Sequence, residues 1–209
     1  MNKVQIIKNH KVIHGDVTDI RNIQSLMKDE KADIFYSDPP WGNGNLKYWQ
    51  TINNKMTGAE CLPVDLNNFL KQIFYIASTY SKGIVFIEYG IRWREKIKAM
   101  GIDAGLIHIE VIPLKYRSGS KLLPLDLHVF MKGNEIKLPT GYVNSVTDTH
   151  GYETLKKAIL PFAGKGKVIL DPCCGMGYTA QVAVDSEMNF RGNELNFKRL
   201  EKTINRLKK

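Results

Sequence analysis

Ala32-Asp33-Ile34-Phe35-Tyr36-Ser37-Asp38-Pro39-Pro40-Trp41 reads as an apolar strand that ends in a carboxylate, two prolines and an indole. Each proline fixes φ at about −65° and removes an N–H, so the backbone after the strand is stiff and the preceding carbonyls are free to accept. The Asp38 carboxylate and the Pro39 carbonyl can both accept from one exocyclic amine, and Trp41 offers a face on which a base can stack. The four residues Asp38, Pro39, Pro40 and Trp41 therefore fit an amino group on a nucleobase. An ordinary Asp-Pro turn closing a strand is the competing reading of the same letters.

A second motif lies downstream. Asp171-Pro172-Cys173-Cys174-Gly175-Met176-Gly177 follows the apolar run Val168-Ile169-Leu170 and leads into Tyr178-Thr179-Ala180-Gln181-Val182-Ala183-Val184, which reads as a helix. Strand, Gly-x-Gly turn and helix form the first crossover of a nucleotide-binding α/β sheet. Glu194 stands 17 residues after Gly177, at the end of the short strand Phe190-Arg191-Gly192-Asn193-Glu194, placed to take two ribose hydroxyls. No Gly-Lys-Ser/Thr occurs, which argues against a P-loop.

The two motifs in this order resemble the β-group, circularly permuted S-adenosylmethionine-dependent DNA amino-methyltransferases of the N6-adenine type, over most of the chain. The resemblance implies one Rossmann-like α/β methyltransferase domain spanning residues 1–209, with a mostly parallel sheet and an antiparallel final strand. It makes S-adenosylmethionine the cofactor and Asp38, Pro39, Pro40 and Trp41 the catalytic group. It places Asp16 and Val17, in His14-Gly15-Asp16-Val17, at the cofactor adenine. His150 and Glu153, in His150-Gly151-Tyr152-Glu153-Thr154-Leu155, fall at its methionine end. Asp38, Asp171, Cys173, Gly175, Gly177, Glu194 and Asn196 complete the implied cofactor site. The implied reaction is methylation of adenine N6 in DNA. N4 of cytosine is the alternative, although cytosine members of the family usually carry Ser where Asp38 stands. RNA is a further alternative, because DPPW also resembles the RNA adenosine methyltransferases. A non-catalytic nucleic-acid-binding subunit that has kept the fold is the reading of another class. The chain departs from the family at Cys174 and in having almost no room for a separate target-recognition region, so recognition would come from a second copy or a specificity subunit.

Composition agrees with a polyanion partner: 30 Lys and Arg stand against 21 Asp and Glu in 209 residues, a formal charge of +9. The three cysteines, at 61, 173 and 174, form neither a disulfide framework nor a zinc pattern, which suits a reducing, cytoplasmic setting. Cys173 and Cys174 read as small buried residues rather than nucleophiles, and no metal is required. No apolar run approaches the roughly 20 residues of a membrane span, and Met1 to Gln5 lacks a signal-peptide core, so the expectation is a soluble protein without a membrane partner.

Along the chain, residues 3 to 14 read as a hairpin turning at Asn9-His10, with no role for His10 or His14. Helical spacing is expected over Val17 to Lys31, Pro63 to Thr79, Arg92 to Met100 (ended by Gly101), the residues after His150 and Phe197 to Lys209, and a buried strand over Gly83 to Glu88. Residues 42 to 58 show no period and read as a long mobile loop whose Lys47, Tyr48, Trp49 and Lys55 would clamp nucleic acid. An antiparallel pair over 106–112 and 127–131 would be joined by a basic loop in which Lys115, Arg117 and Lys121 meet phosphates, followed by a linker over 133–149. The strands ending at Asp38 and Asp171 should lie side by side at the topological switch point.

Overall fold

The computed structural model describes residues 3–57, 65–133 and 137–209. In chain order the strands are β1 (Gln5–Ile7), β2 (His10–His14), β3 (Ala32–Ser37), β4 (Ser81–Tyr89), β5 (Ile107–Ser118), β6 (Lys121–Met131), β7 (Val168–Asp171) and β8 (Asn189–Glu194). The helices are α1 (Ile20–Met27), α2 (Gly42–Thr57), α3 (Leu66–Tyr80), α4 (Arg94–Asp103), α5 (Tyr142–Val146), α6 (Tyr152–Ile159), α7 (Tyr178–Asp185) and α8 (Phe197–Leu207).

All eight strands form one sheet in the order β1-β2-β8-β7-β3-β4-β6-β5. The central run β2-β8-β7-β3-β4 is parallel, and β1 and β6 are antiparallel to it. Strand period two divides the core. Ile34, Tyr36, Ile84 and Phe86 face α5 to α8, while Phe35, Val85 and Ile87 face α1, α3 and α4. Wholly buried rings such as Phe35 and Phe86 each contribute about 2 kcal/mol relative to exposure. After β3 the chain moves outward to β4; after β7 it moves the opposite way to β8. Ligands of open α/β sheets bind at that divergence, and it falls between the strands that end at Asp38 and Asp171.

Several expectations are corrected. The β1–β2 turn sits at Lys8-Asn9, with Ile7 paired to His10 and Lys8 at φ 53°. Helix α1 is shorter than expected because Asp19 caps it, accepting from the Arg21 N–H. Gly101 does not end α4. It lies within the helix because a Cβ there would come 2.3 Å from the Phe130 ring; the backbone must pass that ring closely. Within the stretch read as a mobile loop, Gly42–Thr57 form α2. Leu46, Trp49, Gln50 and Asn53 recur at helical spacing on its inner face, but two are polar, so hydropathy showed no period. Its Gly and Asn content is unfavourable to helix, and tertiary contacts hold it: the Gly42 N–H donates to Tyr89 Oη at 3.1 Å, and the Trp49 ring lies under the Arg199 guanidinium at 4.4 Å. Gly58, Cys61 and Pro63 lie outside the described residues; within them α3 begins at Leu66, capped by Asp65.

The expected basic loop is also not a loop. β5 and β6 continue in register to Ser118↔Lys121, leaving only Gly119-Ser120 as the turn, with Gly119 at φ 61°. The stretch read as a linker includes α5 and then runs along β5, where the Asp148 N–H donates to the Pro113 carbonyl and the Lys115 N–H to Thr149. Among the described residues, no helix is long and apolar enough to cross a membrane.

Candidate active site

A cleft of about 630 Å³ opens over the carboxyl ends of the parallel strands. Each of the five strands delivers an acid into it: Asp16 just past β2, Glu194 from β8, Asp171 from β7, Asp38 just past β3 and Glu88 from β4. A chain of net charge +9 thus has a cleft floored with carboxylates. That arrangement suits a ligand rich in amines, hydroxyls or positive charge.

The Asp38 loop is pinned at both ends. Tyr89, wholly buried in β4, donates its hydroxyl to the Pro40 carbonyl and accepts from Gly42, each at 3.1 Å. Trp41 Nε1 donates to Asp38 Oδ1 at 3.0 Å, and the indole meets Tyr116 of β5 edge-on with centroids 4.8 Å apart. Asp38 stays open to solvent through the cleft mouth. Enclosure by the cleft walls nevertheless raises its carboxyl above the usual range, against the Trp41 hydrogen bond and the Arg199 charge, which lower it. One Asp38 oxygen remains without a protein donor among the described residues.

On the other side of β3 the acids are held by their own turns. Asp171 accepts from Cys173 N at 3.1 Å and Thr179 Oγ1 at 2.5 Å, and burial pushes its carboxyl up to about 7. Glu194 accepts Gly175 N at 2.7 Å and Asn196 N at 2.8 Å, one per oxygen, which fixes the carboxylate while leaving lone pairs on both oxygens. Asp16 holds Thr18 through Oδ1 alone, leaving Oδ2 toward the cleft. Asn193 Oδ1 is buried there without a partner among the described residues. Burial pushes the thiols of Cys173 and Cys174 well above their ordinary value, so both stay protonated and poor nucleophiles.

Val17, His150, Cys173 and Gly175 line the cleft with these acids. Three other expected cofactor residues do not. Glu153 points outward and pairs with Lys157 at 2.9 Å. Asn196 is the N-cap of α8, accepting Arg199 N at 3.1 Å. Gly177 is required by packing: at φ 77°, a Cβ would lie 2.7 Å from the Thr203 Cα of α8. Of the expected nucleic-acid contacts, Trp49 and Arg117 reach the cleft, Lys47 and Tyr48 stand on the exposed face of α2, Lys121 is exposed at the hairpin tip, and Lys115 pairs with Asp148 at 3.3 Å.

Sequence reasoning missed Glu88, Tyr36, Tyr89, Tyr116 and Arg199. Glu88 carried a usable signal, an acid closing an apolar run as Asp38 and Asp171 do. Tyr89 and Tyr116 carried none, because their roles depend on strand register across the sheet.

No family model matches the chain, and no curated protein matches it. Solved structures do. M1.HpyAVI in complex with SAM superposes with a TM-score of 0.67 at 16% identity, over 94% of this chain and 98% of that one. TTHA0409 of Thermus thermophilus, assigned as a DNA modification methylase and complexed with S-adenosyl-L-methionine, gives 0.63 at 15% identity, over 95% and 93%. PvuII DNA methyltransferase, cytosine-N4-specific, gives 0.66 at 11% identity, over 95% and 86%. At these identities the likeness is one of fold: the chain has the α/β architecture of these proteins nearly from end to end.

Proposed function

We propose that the protein transfers a methyl group from S-adenosylmethionine to an exocyclic amine of a nucleobase, adenine N6 in DNA, and that its strand order is a circular permutation of the methyltransferase fold. The observation that carries this reading is Asp38: a carboxylate with one oxygen open to the cleft, on a proline-stiffened loop anchored by Tyr89, at the divergence of β3 and β7. Cytosine N4, the specificity named for PvuII methyltransferase, is the second reading.

The residues present fit the cofactor. Fixed acids at Glu194 and Asp16 can accept from ribose hydroxyls and an adenine amine, the orphaned Asn193 Oδ1 offers another acceptor, and the acid-floored cleft favours a cationic ligand. S-adenosylmethionine, when bound, supplies a methyl group activated by a sulfonium. Asp38 and the Pro39 carbonyl would each accept a hydrogen of the target amine, drawing the nitrogen toward sp3 and aiming its lone pair. The proton shed from that nitrogen goes to the free Asp38 oxygen, whose raised basicity suits the task. Trp41 and Tyr116 would wall the base. Arg117, Lys121, Lys47 and Tyr48, together with Trp49, would meet the strand, with target selectivity completed by a second copy or another protein.

Incubation with labelled S-adenosylmethionine and unmodified DNA or RNA, followed by mass spectrometry of the digested nucleosides, tests this. N6-methyladenine in DNA is the expected product, N4-methylcytosine supports the second reading, and the absence of any methylated nucleoside rejects both.

A further inference from the structure

Asp16, Glu194 and Asp38 have a partner in the proposed function, and Asp171 is held by its own turn through Cys173 and Thr179; Glu88 has no role there. Its position follows from register. Ser37 pairs with Ile87 in the parallel ladder of β3 and β4, so Asp38 and Glu88 are the next residues of adjacent strands. In the strand order Asp16, Glu194 and Asp171 lie on one side of β3, and Glu88 lies on the other. If the cofactor lies over the former and the target amine over Asp38, Glu88 faces what lies beyond the amine, the ring edge of the base.

Tyr36 holds the side chain there. Its hydroxyl, on a residue 2% exposed, donates to Glu88 Oε1, and both side chains line the cleft. One oxygen is thereby committed, and the other has no hydrogen-bond partner among the described residues. We propose that Glu88, resting on the reading above, is a specificity residue that donates a hydrogen bond from this second oxygen to the ring nitrogen beside the target amine. Both adenine and cytosine present an acceptor there, N1 and N3 respectively, whereas guanine flanks its amine with N1–H on the Watson–Crick edge and keeps an acceptor, N3, only on the sugar edge. A donor at Glu88 that meets the Watson–Crick edge therefore favours the two former bases.

The surroundings support the protonated form. Burial, then the Asp38 charge, raise the Glu88 carboxyl; the Tyr36 hydrogen bond lowers it; Asp171 raises it further. Tyr116 and Arg117 line the same cleft from β5. From β6, Leu127 pairs with Glu88, while Asp126 and His128 pair with Tyr89 and Ile87 and so fall on the opposite face. Two acids so close do not both ionise readily, and the more buried one keeps the proton.

The experiment measures single-turnover methylation and substrate affinity on an oligonucleotide carrying the identified target base, and on the same oligonucleotide with 1-deazaadenine (3-deazacytosine if cytosine is the target). Loss of one hydrogen bond predicts that the wild type discriminates against the deaza base by about tenfold, and that Glu88→Ala does not discriminate. Equal discrimination by both overturns the inference while leaving the methyltransferase reading intact. No methylation by the wild type on any base rejects that reading and this one together. Glu88→Gln keeps a donor, so it should retain discrimination against the deaza base and lose the decline at alkaline pH that deprotonation of Glu88 imposes. An unchanged pH profile in Glu88→Gln also overturns the inference.

Discussion

Acids near one end of the same sheet meet opposite fates. Asp126, on β6, is wholly buried and is answered by Arg94, whose Nε and Nη2 reach its two oxygens at 2.9 and 2.8 Å. Asp38, Glu88 and Asp171, on the cleft side, have no Lys or Arg at salt-bridge distance among the described residues, and enclosure raises the carboxyl of each. A buried charge is costly unless paired, so an acid with a matched guanidinium is explained by the fold alone. Acids left without one point to a ligand that brings the missing donors.

The largest expected effect separates the two sets by activity. Asp38→Ala should lower single-turnover methylation at least a hundredfold, about 3 kcal/mol, with cofactor affinity and melting temperature nearly unchanged. Near wild-type turnover in that variant would reduce Asp38 to a turn residue. Arg94→Ala should do the reverse. It strands the Asp126 carboxylate and should cost about 3 kcal/mol of stability, held to the low end because the Arg94 side is half open, while turnover per folded molecule is retained. Urea unfolding and single-turnover rates of both variants test the crossed pattern, and an Arg94→Ala protein with wild-type stability breaks it.

The pH dependence of stability sharpens the contrast, because the two regions act with opposite sign in one window. His128, wholly buried on the Asp126 face, is lowered by burial to about 4. The unfolded chain takes up that proton as pH falls below about 6.5, so the contribution is complete above that value and lost toward pH 4, up to about 3 kcal/mol. Asp171, raised to about 7, keeps in the native state a proton that the unfolded chain releases near pH 4; its contribution is present at low pH and lost as pH rises to 7. Replacing His128 by Leu should make stability fall more steeply with rising pH between 4 and 6.5, and Asp171→Asn should tilt the curve the other way. Equal slopes in all three proteins would refute the assignments.

The sheet was legible because apolar runs that end in Asp38, Glu88 and Asp171 announce parallel strands, and the two motifs bracket the switch point. Helix α2 was not legible, because its inner face is built from Trp49, Gln50 and Asn53 as well as Leu46, and what holds it is Arg199, some 150 residues away in sequence. The length of the β5–β6 hairpin was hidden too: Lys115, Arg117 and Lys121 look like loop chemistry, and only the cross-strand register shows them on an extended ribbon. Gly177 shows how a correctly placed motif can carry a second reason. The turn is there, and its glycine is also demanded by Thr203, so Gly177→Val should destabilise the α7–α8 packing as well as any cofactor contact.

The ribbon supplies the smallest and last test of the same rule, applied to cations. Lys115 pairs with Asp148 at 3.3 Å, whereas Arg117 and Lys121 have no acidic partner at salt-bridge distance among the described residues. If unanswered charge marks where a ligand binds, phosphates are met by the latter two. Each phosphate contact releases counterions and adds about 0.9 to the slope of log affinity against log salt for duplex DNA. Arg117→Ala with Lys121→Ala should therefore flatten that slope by up to about 2, and adding Lys115→Ala should change it by much less than one further unit. Because the Lys115–Asp148 pair is exposed and worth little, phosphate could compete for it, and a third full unit lost in the triple variant would show that it does. That outcome would confine the rule to buried charges, where desolvation makes an unpaired group costly, and leave it without force on an exposed ribbon.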